Sequence, residues 1–302
     1  MSRFSDGATS FHTPVPEGAV MSYARLHTDA NTRVLEPTTD FFHNLDLVCS
    51  KDLLDSLEDI CLDVGGQTWD VVYFGDVACS FLNEVYDRHV SVIDDGRIKV
   101  PLFLCGTTAN CLMSFPKHHQ IRVILRKQDR SVVQTQDYEL WATCYDVPPT
   151  FLHETRTMVA QQTQFTGAEW IVPSGKQRIR LHFNKAAYCL AFHFGKHPMS
   201  IAKRVKCIVT EYDYDAKEYL AERTLFDKPI VSDTEYCMHT FAPDVAPPVI
   251  PETILDLSVL DYQYLEIEFT CETQEKIPVY VFAHTYDQPT FRGGMAGLRF
   301  SK

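Results

Sequence analysis

The feature that most constrains this chain is a succession of short segments in which apolar and polar residues alternate. From Cys61 onward "RIKVPLFLCG", "HQIRVILRK", "YELWATCYDV", "RIRLHF", "AYCLAFHF", "VKCIVTEY", "QYLEIEFTCE" and "VYVFAHTY" follow one another. In the second of these, Ile121, Val123 and Leu125 alternate with Arg122 and Arg126. In "RIRLHF", Ile179, Leu181 and Phe183 alternate with Arg178, Arg180 and His182. A period of two sends successive side chains to opposite faces, as a strand does, whereas a helix needs apolar residues three and four apart. The 19 Phe, 14 Tyr and 3 Trp add to the preference for strands. Many short strands without long helices predict an all-β fold of sandwich or barrel type. Pro148-Pro149 divides the strands into two groups of similar size. The expectation is two tandem antiparallel β-sandwiches, over 41–148 and 149–302, with short helices in connecting loops. Residues 1–40, rich in Ser, Thr, Pro, Asp and Asn and without sustained period, read as a partly extended N-terminal arm.

Helical spacing is confined to small pieces. Leu53, Leu54, Leu57 and Ile60 predict a short helix behind an N-cap at Ser50. "GDVACSFLNEVYD" predicts a second, with Val77, Phe81, Leu82 and Val85 inward, and Phe151 to Gln164 has some helical character. "CLDVGGQ" reads as a strand running into a turn at Gly65-Gly66.

Several function classes are disfavoured by composition and motif. A formal charge of −12, with only Arg3 and Arg25 as cations in residues 1–30, does not suit a surface that neutralises phosphates. No apolar run reaches the ~18 residues of a membrane span, and the start has no apolar core of a secretory signal. The ten cysteines (Cys49, Cys61, Cys79, Cys105, Cys111, Cys144, Cys189, Cys207, Cys237 and Cys271) form no C-x-x-C pair and sit in mainly apolar or alternating segments. They are expected to be buried thiols of a protein that folds in a reducing compartment. His193 and His197 lie four apart, about 13 Å along a strand, too far to share an ion, and His118-His119 has no third ligand at a sensible spacing. Asp52, Asp55, Glu58 and Asp59 read as the wet face of an amphipathic helix. "LDVGGQ" lacks the Lys-Ser/Thr of a phosphate loop, and no G-x-S-x-G elbow is present. No catalytic, metal or cofactor residue is expected, and the chain is not read as an enzyme.

Six segments, in order, resemble the major capsid proteins of nucleocytoplasmic large DNA viruses of the iridovirus and phycodnavirus type. "ICLDVGGQTWD" resembles the family's strand that ends in Ile-Gly-Gly-Gln, placing Gly65, Gly66 and Gln67. "DGRIKVPLFLCGTTANCLMSFPKHHQIRVILR", with Pro101, resembles its Ile-Pro-Leu run and the strand beyond. "TFLHETRTMVAQQTQFTG" is similar to the connector entering the second domain. "IRLHFNKAAYCLAFHF" is similar to its Leu-x-Phe-Asn-His-Pro strand pair, with Phe183 and Asn184 but Lys185 and Ala186 in place of His-Pro. "IPETILDLS" departs from the family, replacing its Pro-Ser-Gly-Thr and Asn turn while keeping Pro251, Thr253 and Ser258. Tyr286 and "FRGGMAGLRFSK", with Gly294, Met295, Gly297 and Leu298, resemble the family's ending.

The resemblance implies a double jelly roll without cofactors, assembling as a homotrimeric, pseudo-hexameric capsomer of an icosahedral shell. It implies lateral capsomer contacts and, as further partners, minor capsid proteins and an inner membrane or protein layer, with no direct nucleic acid. The location implied is the virion, after folding in host cytoplasm or nucleus. The short chain implies trimmed outer loops and a first domain that has lost material before Ile60. A minor capsid, penton or scaffold relative is the first alternative. A carbohydrate- or ligand-binding β-sandwich protein, using Trp69, Trp141 or Trp170, is the second. In the capsid reading, Gly293, Gly294 and Gly297 let the last backbone stretch pass close to neighbouring strands, anchored by Phe291, Met295, Leu298 and Phe300.

Overall fold

The structure, a computed structural model, describes residues 17–36, 38–78, 90–102, 113–114, 119–149, 156–157, 160–165, 167–213, 215–231, 233–241, 255–257, 260–270, 274–287, 289–292 and 295–298. Strands dominate it. In chain order they are β1 (Val20–Leu26), β2 (Phe41–Cys49), β3 (Leu57–Val64), β4 (Gln67–Tyr73), β5 (Ser91–Val92), β6 (Ile98–Leu102), β7 (Met113–Ser114), β8 (Ile121–Lys127) and β9 (Tyr138–Asp146). Then come β10 (Arg156–Thr157), β11 (Ala160–Phe165), β12 (Glu169–Ile171), β13 (Lys176–Leu181), β14 (Ala186–His193), β15 (Ala202–Thr210), β16 (Tyr212–Asp213) and β17 (Glu218–Tyr219). The last are β18 (Arg223–Pro229), β19 (Cys237–Thr240), β20 (Leu255–Asp256), β21 (Tyr262–Phe269), β22 (Ile277–Asp287), β23 (Pro289–Arg292) and β24 (Met295–Leu298). Among the described residues one α-helix, α1 (Lys51–Ser56), interrupts them.

The chain divides into two compact units: Met1–Gly75, Tyr86–Gln162 and Asp287–Ser301 form the first, and Asp76–Val85 with Thr163–Tyr286 the body of the second. In the first unit, one sheet runs β1-β9-β2-β6-β5, with β7 added to β2, and the other runs β4-β3-β8. The second sheet gains a partner at its β8 edge from an isolated bridge between Val34 and Arg122, secured by Leu35 N–H donating to the Ile121 carbonyl at 2.8 Å. Eight chain positions therefore build this unit: β1, Val34–Leu35, β2, β3, β4, β6, β8 and β9. One sheet holds the first, eighth, third and sixth in that order; the other holds the second, seventh, fourth and fifth.

The second unit repeats the arrangement. One sheet runs β11-β22-β14-β19, with β12 on β22 and β20 on β14, and the other runs β13-β21-β15-β18. Counted along β11, β13, β14, β15, β18, β19, β21 and β22, the orders are again first-eighth-third-sixth and second-seventh-fourth-fifth. The registered pairs are antiparallel, as between Lys176–Leu181 and Glu268–Gln263 in β13 and β21. Each unit has its own core drawn from both of its sheets. Leu47, Val100 and Leu140 meet Ile60, Leu62 and Val123 in the first, and Val279, Val281 and Leu190 meet Ile179, Val205 and Ile267 in the second. Burying these side chains contributes roughly 1.5–3 kcal/mol each.

Three readings of the sequence change here. First, the helix stops at Ser56. Ser50 does cap it, accepting from Leu53 N–H at 3.2 Å, but Ser56 Oγ donates to the Leu53 carbonyl at 2.7 Å and Leu57 N–H bonds Leu54. Leu57 and Ile60 then lie in β3, paired on both sides by β4 and β8. Second, Val20–Leu26, read as part of an arm, is a strand paired with β9 from Val20↔Asp146 to Leu26↔Leu140. The first unit thus has three of its eight positions before Ile60 and has not lost them. Third, Ala160–Phe165 is strand, not helix. Of "GDVACSFLNEVYD", only the short 3-10 turn Gly75–Val77 falls among the described elements; residues 79–87 lie outside the described residues.

Candidate functional site

The positions singled out in the sequence lie in separate parts of the fold. Gly65 and Gly66 form a two-residue turn between β3 and β4, with φ of 63° and 83°, and Gln67 opens β4 opposite Val64. Positive φ at both central residues matches the twist of a tight hairpin. The Asp63 carboxylate accepts from Gly66 N–H at 2.8 Å and closes the loop. Pro101 pairs with Asp46 in β6, beyond the two residues of that strand that β5 covers, so its missing N–H costs no ladder bond on that side. Asn184 joins the β13–β14 turn to β11: its Oδ1 accepts from Gln164 Nε2 at 2.6 Å, and its N–H donates to Gln164 Oε1 at 3.4 Å. Phe183 is buried, and its carbonyl accepts from Gln263 at 2.8 Å. Tyr286, also buried, packs on Tyr188 at 4.8 Å between ring centroids.

The ending differs from its expected role. Pro289–Arg292 and Met295–Leu298 form a hairpin, and β23 also pairs with β10, so this sheet belongs to the first unit. Among the described residues, a Cβ on Gly297 would meet nothing within 4 Å, and Met295 is 56% exposed. No close approach to a described residue accounts for Gly297, and Met295 does not anchor the segment. Gly293, Gly294 and Phe300, and the side chains of Phe291 and Leu298, lie outside the described residues.

Among the described residues, titratable groups do not gather at one point. Among the described residues no group of three or more His, Cys, Asp or Glu could hold a metal ion. His193 is buried, His197 lies across a tight turn from Phe194, and His118 is outside the described residues. Cys49, Cys61, Cys144, Cys189, Cys207 and Cys237 are free, buried thiols. Burial pushes Cys49 up to about 11 and Cys189 and Cys207 up to about 12. A depression of about 560 Å³ beside β18 and β19 is lined by Lys228, Val231, Glu235, Tyr236 and Met238, and the Lys228 ammonium is used by the Met238 carbonyl.

Chemistry is concentrated instead on the outer sheet faces. In the first unit, Tyr23 stacks on Trp141 at 5.5 Å and donates its hydroxyl to Asp46 at 2.7 Å. Lys99 meets the same carboxylate at 2.9 Å, and Arg25 and Arg97 meet Glu139 at 2.9 and 3.2 Å. Glu139 is held below the usual carboxylate range by the Trp141 indole N–H and then by Arg97 and Arg25. In the second unit, Arg178 bridges Glu222 and Glu266 at 2.7 and 2.9 Å, and Asp227 is shared by Arg204 and Lys206 at 2.5 and 3.3 Å. Exposed ion pairs of this kind each contribute little to stability. Elsewhere on the two units Val20, Met21, Val92, Trp170, Leu220 and Val231 are exposed. Of the three tryptophans, Trp69 is buried, Trp141 lies under Tyr23, and Trp170 alone stands out from the surface, at 58% exposure.

Neither a protein-family model nor a curated protein matches the sequence. Solved structures do match the fold. PBCV-1 VP54, as fitted into a cryo-EM reconstruction of the virophage Sputnik, is 14% identical, with a TM-score of 0.66 over 99% of this chain and 100% of that one. A chain of the PBCV-1 virus capsid gives 0.65 at 14% identity, over 99% and 100%. The Faustovirus major capsid protein gives 0.55 at 7% identity, over 95% of this chain and 93% of that one. The chain is a double jelly roll. Both of its eight-position units have the two-sheet order of that fold, and each match runs through both of them. At these identities the likeness establishes how the double jelly roll is built, and function has to be argued from its surfaces.

Proposed function

We propose that this double jelly roll is a viral capsid structural protein, a major capsid protein that forms homotrimeric, pseudo-hexameric capsomers of an icosahedral shell. The observation that carries the reading is the duplication itself: one chain holds two units of identical strand order, and it matches 100% of a PBCV-1 capsid chain and 93% of the Faustovirus major capsid protein. Three copies place six near-equivalent sandwiches around one axis, and a body with six similar sides tiles a closed lattice through repeated lateral contacts. We place the boundary between the sandwiches at 148/149, between the last strand of the first sandwich, β9, and the first of the second, β11, with the small β10-β23-β24 sheet returning to the first unit. The paired charges on the outer sheet faces suit contacts that are weak singly and numerous together, and so reversible during assembly.

The acidic balance, −12 overall, directs partnership toward protein or a membrane layer and away from bare nucleic acid. On this reading the chain resides in the virion, with minor capsid proteins and an inner layer as further partners. Light scattering on the purified protein at micromolar concentration, followed by negative-stain imaging, tests it. Three times 34.6 kDa with a triangular or hexagonal outline is the expected result. A clean monomer, unaffected by moderate salt, would overturn the reading.

A further inference from the structure

The edge of a sheet presents unpaired N–H and C=O groups, and folded chains blunt it: they keep it short, charge it, bulge it, place proline in it or cover it. Among the described residues the two sandwiches hold four sheets with eight edges, and seven of these show such a device. β5 and β19 run for only two and four residues. β8 is met by Val34 and Leu35, and β11 is buried at Gln162 and Thr163. β4 shifts register against β3 between Leu62 and Asp63. β13 exposes Arg178 and Arg180, and β18 ends on Pro229 after a register shift against β15. The eighth edge is β1. Its seven residues keep unbroken register with β9 and include no proline. Its one charge, Arg25, is already paired with Glu139 at 2.9 Å. Val20 and Met21 are each 66% exposed and Tyr23 49%, and among the described residues nothing pairs with the outer side of the strand.

We propose that β1 is a pairing edge for a second copy of this chain, β1 lying antiparallel to β1 across a two-fold axis at Tyr23. In the second copy β1 is again the edge without a blunting device, so like joins like, as a two-fold contact requires. An axis at Tyr23 is the register that pairs all seven residues. It sets Met21 against Arg25 of the second copy, Ser22 against Ala24, and Tyr23 against Tyr23. The strand's one charge then faces a thioether chain and never its own copy, whereas an axis at Arg25 would oppose two guanidinium groups. Tyr23 is set in advance for this contact. Asp46 holds its hydroxyl at 2.7 Å and Trp141 stacks on its ring at 5.5 Å, so little side-chain freedom is lost on pairing. A single strand pair falls well below the ~1,200 Å² of a stable interface, so the contact belongs to concentrated protein. The pairing does not rest on the capsid reading.

Residue-resolved hydrogen exchange of the intact protein, at low micromolar and at the highest soluble concentration, tests it. Alternate amides of β1 point away from β9. These should exchange quickly in dilute protein and slow by about tenfold when roughly nine edges in ten are paired. Met21→Lys opposes a like charge to Arg25 of the second copy and should abolish that gain. Met21→Glu opposes a carboxylate to it and should keep or increase the gain. Both variants should fold, because Met21 is largely exposed. Protection of these amides that does not change with concentration, or the same effect from both substitutions, would overturn the pairing. Either result leaves the trimer to be judged by light scattering, and a monomer there leaves the edge to be judged by exchange.

Discussion

At Gly65 the backbone sits at φ 63°, and a Cβ would lie 3.1 Å from the His119 ring; at Gly66 φ is 83° and nothing lies within 4 Å. The two glycines of one turn should therefore respond differently. Gly65→Val combines strain with a clash and should lower stability by about 1–3 kcal/mol, read as a drop in thermal midpoint. Gly66→Asn should change it by less than about 1 kcal/mol, because asparagine visits the left-handed region. Equal effects would remove the steric part of the argument. Thiol chemistry is the other property that belongs to single residues. Nucleophilic attack needs the thiolate, and desolvation holds the six described thiols in the protonated form. An aromatic disulfide reagent at pH 8 should leave these six unmodified in native protein and modify them on addition of denaturant, as peptide mapping would show. The turn and the apolar setting of the cysteines were both readable in the sequence, since they depend on neighbours along the chain.

Among elements, legibility followed water. β8, β13 and β21 keep one face wet, with burial alternating strictly in β21, and their period of two stands out in the residues. β1 shows no such alternation, because all but its last residues are exposed; its pairing with β9, more than a hundred residues away, makes it a strand. The stretch after Ser50 was misleading for the opposite reason. Leu53 and Leu57 stand a helical turn apart, yet β8 pairs with Leu57 and β4 joins from Asp59 onward, and long-range pairing outweighs local spacing. Where elements join, a few polar side chains do the fastening. Gln263 of β21 is buried and donates to the carbonyls of Phe183 and Leu257 at 2.8 and 2.9 Å. Gln263→Leu would leave both carbonyls without that donor and should cost about 2–3 kcal/mol in a denaturant titration, with the slope unchanged. A cost near zero would mean that water or a rearranged turn replaces the amide. Neither this clasp nor that of Gln164 on Asn184 could be found from spacing, because each joins positions with no common period.

For the molecule as a whole, the sequence carried the number of sandwiches and their tandem order, because strand count is a local property. It did not carry the membership of the last strands. β23 and β24 complete a small sheet with β10 in the first unit, and pairing over such a distance leaves no mark in either segment. The early strand has a measurable consequence. Removing residues 1–30 deletes β1, leaves the outer edge of β9 unpaired and takes Leu26 out of the core, so the shortened chain should be insoluble or unfolded by circular dichroism. A soluble, cooperatively melting product would mean that β1 is dispensable.

That small three-stranded sheet also orders events in time. A ribosome makes every strand of the second unit before it reaches Pro289, so the nascent first unit waits, unfinished, while its successor emerges. Chains cut short anywhere in the second unit carry a first unit that still lacks its closing hairpin. Such a chain leaves β10 without its β23 partner, a bare strand edge of the kind that pairs with other chains.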